Sequence, residues 1–198
     1  GSEYRWRNSP SAMGSAIDAT FGLTTDILAI GSWIQAGTPA LCTVRANSAR
    51  TELVWRLLLD TQLISLKTFG RPGDTVIAGA DFDGNGVADA ALVRATRTKL
   101  VWYISANMFS SPSKTIRFSL GKPGNRVTYL NINGQLDVPA VFGRDSKKRA
   151  ILQVRNITTG RTTTYRGFPK GLARGERPRP HPVAGTAGID NLAFISED

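Results

Sequence analysis

The sequence predicts an all-β fold built from repeating four-stranded units, on three observations. Short alternating apolar runs recur, with Gly, Pro, Asn and Asp clustered between them. Glycine, Phe-Gly and tryptophan landmarks each return after about 50 residues. Apart from a short helical turn near Ser11–Ala19, no stretch carries a capped 3.6-residue apolar period.

The elements follow in order. Tyr4-Arg-Trp6-Arg-Asn8 and the strand ending at Thr20-Phe21-Gly22 read as the third and fourth strands of a unit. Tryptophan then returns in Leu53-Val-Trp55-Arg-Leu57 and in Leu100-Val-Trp102-Tyr-Ile104. The Phe-Gly landmark returns as Thr68-Phe69-Gly70 and as Ser119-Leu120-Gly121, and the three copies precede Asp26, Asp74 and Asn125. A third landmark is a glycine that opens a strand, at Gly37, Gly86, Gly134 and Gly188. In the clearest unit the strands are Thr75–Ala80, Asp89–Arg94, Leu100–Ile104 and Lys114–Leu120. The last alternates cleanly, as a half-buried outer strand does. Pro72-Gly73 and Pro123-Gly124 fall between units, where a turn is needed and a ladder hydrogen bond is not.

Four strands in about 50 residues match a β-propeller blade. The expected blades are 23–70, 71–121 and 122–170, with a fourth made by 171–198 together with 1–22. In that fourth blade Pro180–Thr186 and Asn191–Ile195 supply the first two strands and the N-terminal strands the other two. Closure of this kind removes unpaired sheet edges. A slice of a seven-bladed ring is the competing architecture, and the complementary ends argue against it.

Composition sets limits. A chain of 198 residues can bury one real core, and 20 glycines with 10 prolines suit many short strands. No run approaches the roughly 18 apolar residues of a membrane-spanning helix. The leading Gly1-Ser2 pair reads as an expression scar. The single cysteine, Cys42, lies within a strand without an activating base and is expected to be a small core residue. Formal charge is +10, concentrated between Gly143 and His181, where Arg144, Lys147, Lys148 and Arg149 share one expected turn from which all four charges can reach outward together. Such a sector suits acidic polysaccharide or lipopolysaccharide phosphates, or serves solubility alone. Nucleic acid is disfavoured because no helix-turn-helix, zinc or RNP-like pattern is present.

The chemistry concentrates in Asp81-Phe-Asp83-Gly-Asn85-Gly-Val87-Ala-Asp89. Oxygen side chains at alternate positions, glycines for a sharp turn and a returning carboxylate suit calcium, which takes six to eight oxygens at about 2.3–2.6 Å. The ligands are expected from Asp81, Asp83, Asn85, the Val87 carbonyl and Asp89. An EF-hand is excluded, because its twelfth loop position needs glutamate and here holds Leu92. A polar hairpin that binds nothing is the plain alternative. In the third unit Asn131, Asn133 and Asp137 keep oxygen chemistry, whereas Ser32, Ile34, Ala36 and Ala40 of the first unit do not.

This short loop between strands resembles the calcium loops of integrin-type FG-GAP, or VCBS, repeats. The resemblance is specific over residues 69–104 and extends along the chain only as rhythm. It implies a propeller that binds protein or glycan outside the cell, as a non-enzymatic recognition or adhesion domain of a surface or secreted protein. A lectin-like version draws on Trp33, Tyr103 and Tyr129 as stacking faces, whereas core or rim packing is the plainer role expected of each. A polysaccharide-processing enzyme is the weaker alternative. The only histidine, His181, has no recurring carboxylate partner, and the aspartates of the loop are already engaged. A purely structural spacer is the third reading.

Overall fold

Strands form where the sequence alternates, and each pairs with its neighbour in the chain. The computed structural model describes residues 2–7, 18–38, 40–59, 62–110, 114–132 and 136–166. Strands β1 (Glu3–Arg7) and β2 (Asp18–Leu23) form an antiparallel pair. The first four-stranded sheet contains β3 (Ile27–Gly31), β4 (Ala40–Ala46), β5 (Leu53–Leu59) and β6 (Gln62–Thr68). The second contains β7 (Thr75–Ala80), β8 (Asp89–Ala95), β9 (Leu100–Ala106) and β10 (Lys114–Ser119). The third contains β11 (Arg126–Ile132), β12 (Leu136–Arg144), β13 (Ala150–Arg155) and β14 (Thr162–Arg166). Every pairing is antiparallel and joins consecutive strands.

The all-β expectation holds, and no helix occurs among the described residues. The described sheets form an open series and not a closed ring. The expected closing strands Pro180–Thr186 and Asn191–Ile195 lie outside the described residues. The helical turn expected near Ser11–Ala19 gives way at its end to β2, where Ala19 and Asp18 pair with Trp6 and Arg7. Residues 11–17 lie outside the described set.

Period-2 alternation gives each sheet two apolar faces, and successive sheets stack through them. Between the first and second sheets lie Trp33, Cys42, Val44, Trp55, Leu57, Ala90, Leu92 and Met108. Between the second and third lie Ile77, Phe82, Val93, Trp102, Ile104, Leu120 and Val141. Each buried tryptophan removes roughly 150–250 Å² from water, worth at most roughly 4–6 kcal/mol at about 25 cal/mol/Å². Strand β3 runs beside β7, and β7 beside β11. At the first of these seams Gly79 takes φ 78° within a bulge of β7, and a Cβ there would stand 2.5 Å from the Ile30 carbonyl oxygen. Only glycine permits that approach.

The periodic landmarks are built into matching contacts. The Trp55 indole N–H donates to the Phe69 carbonyl at 2.9 Å, and that of Trp102 to the Leu120 carbonyl at 3.2 Å. Asp26, Asp74 and Asn125 each accept from the backbone N–H three residues earlier, at 2.8–2.9 Å, closing the same turn three times. Arg45 reaches Asp26 at 3.0 Å, and Arg94 holds Asp74 bidentately with both bonds at 2.7 Å. The third unit has Asn125 and Phe142 at these places. There Gly143 replaces Ala46 and Ala95, and a Cβ on it would overlap Asn125.

Candidate metal centre

The loop joining β7 to β8 leaves the Gly79 bulge and is pinned by Phe82, whose buried ring meets Tyr129 edge-on at 6.2 Å. Gly84 and Gly86 take φ of 78° and 83°, the left-handed values that tighten the turn. The Asp81 carboxylate accepts from the amides of Gly84 at 2.7 Å and Gly86 at 2.6 Å. Asn85 accepts from the Val87 amide at 2.7 Å. Asp89 opens β8 and is fully buried, accepting from the Phe82 amide at 2.8 Å and the Asn107 amide at 3.0 Å. One carboxylate oxygen from each of Asp81, Asp83 and Asp89 lies within 4.8 Å of the others.

Burial pushes the Asp89 carboxyl up to about 6, and the Asp83 and Asp81 carboxylates push it the same way, against two amide hydrogen bonds that lower it. Partial burial and Asp81 also raise Asp83. The cluster therefore holds more negative charge than its surroundings neutralise, which a proton or a cation relieves. All the donors are oxygen, so the set fits a hard cation.

Two contributors escape a reading of the motif alone. Asn107, in the β9–β10 turn, sits at φ 54° and braces the loop from outside. Its side chain donates to Asp83 at 3.2 Å and accepts from Asn85 at 2.7 Å, and its amide reaches Asp89. Asn tolerates a left-handed backbone, but nothing nearby in sequence marks Asn107 as part of the loop. The second is Asp137 on β12, only 8 % exposed. It accepts from the Asp81 amide at 2.8 Å, and its own amide donates to the Asp81 carbonyl at 2.9 Å. Asn131 donates to its other oxygen at 2.9 Å. Asp137 thus ties the loop to the third sheet. Asn133 lies outside the described residues.

The loop of the first unit does not ligate. Ser32 instead accepts, through its carbonyl, from the Ala88 amide at 2.8 Å. Trp33 is not a stacking face, because its ring is fully buried between Trp55 and Phe109 and its N–H donates to Ala29 at 2.8 Å. Tyr103 is flanked by Arg94 and Arg117, and Tyr129 packs on Phe82. Cys42 is buried as expected, and burial pushes its thiol up to about 12. His181 lies outside the described residues.

The late basic turn differs from expectation. Arg149 pairs with Asp145 at 2.6 Å, and Arg144 donates to the Lys148 carbonyl at 2.7 Å. Only Lys147 and Lys148 of the four cations reach outward untied. Compared with known proteins, the chain matches no family model, no curated protein and no solved structure.

Proposed function

We propose that the chain is a calcium-stapled recognition module whose sheets close into a four-bladed β-propeller. The convergence of Asp81, Asp83 and Asp89 within 4.8 Å carries the calcium reading. Asn85 and the Val87 carbonyl complete the all-oxygen donor set that calcium takes. Calcium bound there neutralises the repelling carboxylates and stiffens the hinge between β7 and β8. Through Asp137 it also stiffens the seam with the third sheet. The module works outside the cell, where calcium is plentiful, and binds protein or glycan without chemistry of its own, as the resemblance to FG-GAP loops implies.

Ring closure rests on the ends of the series. Ile27, Leu28, Ile30 and Leu66 of the first sheet remain exposed, and Phe21 of β2 already packs beneath Arg56 of that sheet. The third sheet carries a further apolar cluster of Leu130, Val138, Leu152 and Val154. In this reading the expected strands Pro180–Thr186 and Asn191–Ile195, which lie outside the described residues, would join β1 and β2 in a fourth sheet.

Calorimetric titration with calcium gives about one site per chain, and chelator lowers the melting temperature. Asp89→Ala abolishes the heat. Normal calcium binding by that variant overturns the assignment.

A further inference from the structure

We propose that the rim opposite the Asp81 loop is a docking surface for a linear acidic polysaccharide. Antiparallel meanders place the β4–β5, β8–β9 and β12–β13 turns, with the β6–β7 and β10–β11 links, at the other end of the strands. The sheets share one orientation, because Ser32 and Asp81, each opening its β-strand-connecting loop, accept an amide from the next sheet.

Carboxylates on this rim are largely consumed internally: Asp26 by Arg45, Asp74 by Arg94 and Asp145 by Arg149. Five cations on the turns, Arg50, Arg97, Lys99, Lys147 and Lys148, are exposed and make no salt bridge among the described residues. Arg71 and Lys122 add two more from the links. Against these seven stand two exposed carboxylates, Glu3 and Glu52. The surplus therefore belongs to a rim assembled from all three sheets, and only Lys147 and Lys148 of it come from the late basic stretch.

The backbone supplies a second, independent observation. Arg50 and Lys148 occupy φ of 54° and 60° at matching points of two turns. Their amides donate to Asn47 and Asp145 at 2.9 and 3.0 Å. Glycine or asparagine ordinarily fills such a left-handed position, and a strained cation on a turn tip points to use of its charge.

The rest of the rim selects the partner. No helix occurs among the described residues to enter a groove of a duplex, and Trp33, Trp55 and Trp102 are fully buried, so none of these three indoles offers a stacking platform for bases. The turn tips carry Ser, Thr, Pro and Gly and not the apolar wedges that seat a protein in lipid. Point charges on polar turns suit a polymer whose charges recur along its length.

The test uses heparin, by column retention and by calorimetry over a salt series. The intact chain is retained at low salt and released as salt screens exposed charges. Lys99→Glu with Lys122→Glu weakens binding at least about tenfold. Lys114→Glu with Arg161→Glu, an equal reversal at the loop end of the strands, changes it less than about twofold. Equal loss from both pairs makes the effect one of net charge and overturns the proposal. Tighter binding to single-stranded DNA or to anionic lipid vesicles overturns the choice of partner. The surface rests on no part of the calcium reading, so chelator leaves heparin binding unchanged.

Discussion

The Asp74–Arg94 pair offers a measurement in which this protein supplies its own control. Asp74 is almost fully buried, and Arg94 keeps 28 % of its side chain exposed. Breaking a wholly buried pair costs about 3–5 kcal/mol, so the partly solvated arginine brings the expected cost of Asp74→Asn to about 2–3 kcal/mol. The asparagine keeps the turn bond to the Arg71 amide, as Asn125 keeps its bond to Lys122. For a chain of this size that cost lowers the melting temperature by roughly 5–10 °C. Arg94→Phe alone leaves a buried carboxylate unpaired and costs a similar amount. Combining Asp74→Asn, Arg94→Phe and Ala95→Gly installs the third unit's solution and recovers much of the loss. The assay is urea unfolding at neutral pH, with coupling of at least about 1.5 kcal/mol expected between the first two substitutions. Burial alone would raise Asp74, but the Arg94 hydrogen bonds outweigh it and hold the carboxyl below its usual value. The pair's contribution is therefore present above the unfolded value of 3.8 and disappears as acid titrates the folded carboxylate. Additive costs, with coupling under about 0.5 kcal/mol, refute the reasoning.

Asp89 titrates in the opposite sense. With its folded value raised to about 6, metal-free stability falls as pH rises from near 4 through 6, while calcium affinity climbs across the same window; parallel melts and titrations at pH 5 and 7.5 check both. Asn107→Gly keeps the left-handed backbone and its amide bond to Asp89 but loses the side-chain brace on Asp83 and Asn85. It weakens calcium binding about tenfold by calorimetry, and Asn107→Ala adds backbone strain of roughly 1 kcal/mol. Deleting residues 1–9 removes β1 and leaves β2 an unpaired edge, so light scattering should register aggregation; an unaltered monomer of normal stability argues against closure through the termini.

The convergence of Asp81, Asp83 and Asp89 was legible because these side chains follow one another in sequence, so spacing alone brings them together. The strands of the second unit were legible for the same reason, and the observed boundaries differ from expectation by at most two residues. Asn107 was not, since it arrives from the turn after β9 and belongs to the site only because of its left-handed backbone. Asp74 stood beside a recurring landmark and Arg94 at the end of an expected strand, yet only strand pairing across β7 and β8 places one over the other. Trp33 takes the plainer of its two expected roles, core packing, although it follows a strand end, where an aromatic ring ordinarily meets solvent. The chain instead doubles back and gives the indole N–H to Ala29. The late basic turn misled by counting charges, since Asp145 neutralises a neighbour four residues away.

Two amides make each seam observable on its own. Those of Ala88 and Asp137 donate to Ser32 and Asp81, across the first and second seams respectively. In a stack where each sheet touches only its neighbours, stability divides into sheet terms and nearest-neighbour coupling terms. Each of these protons is released to solvent only when its seam parts, so its deuterium exchange measures that coupling directly. The Ala88 proton reports a joint of apolar packing and a backbone hydrogen bond, and that of Asp137 a joint reinforced as well by a side-chain clamp. Their difference in exchange free energy therefore ranks the two, and calcium should slow Asp137 more than Ala88.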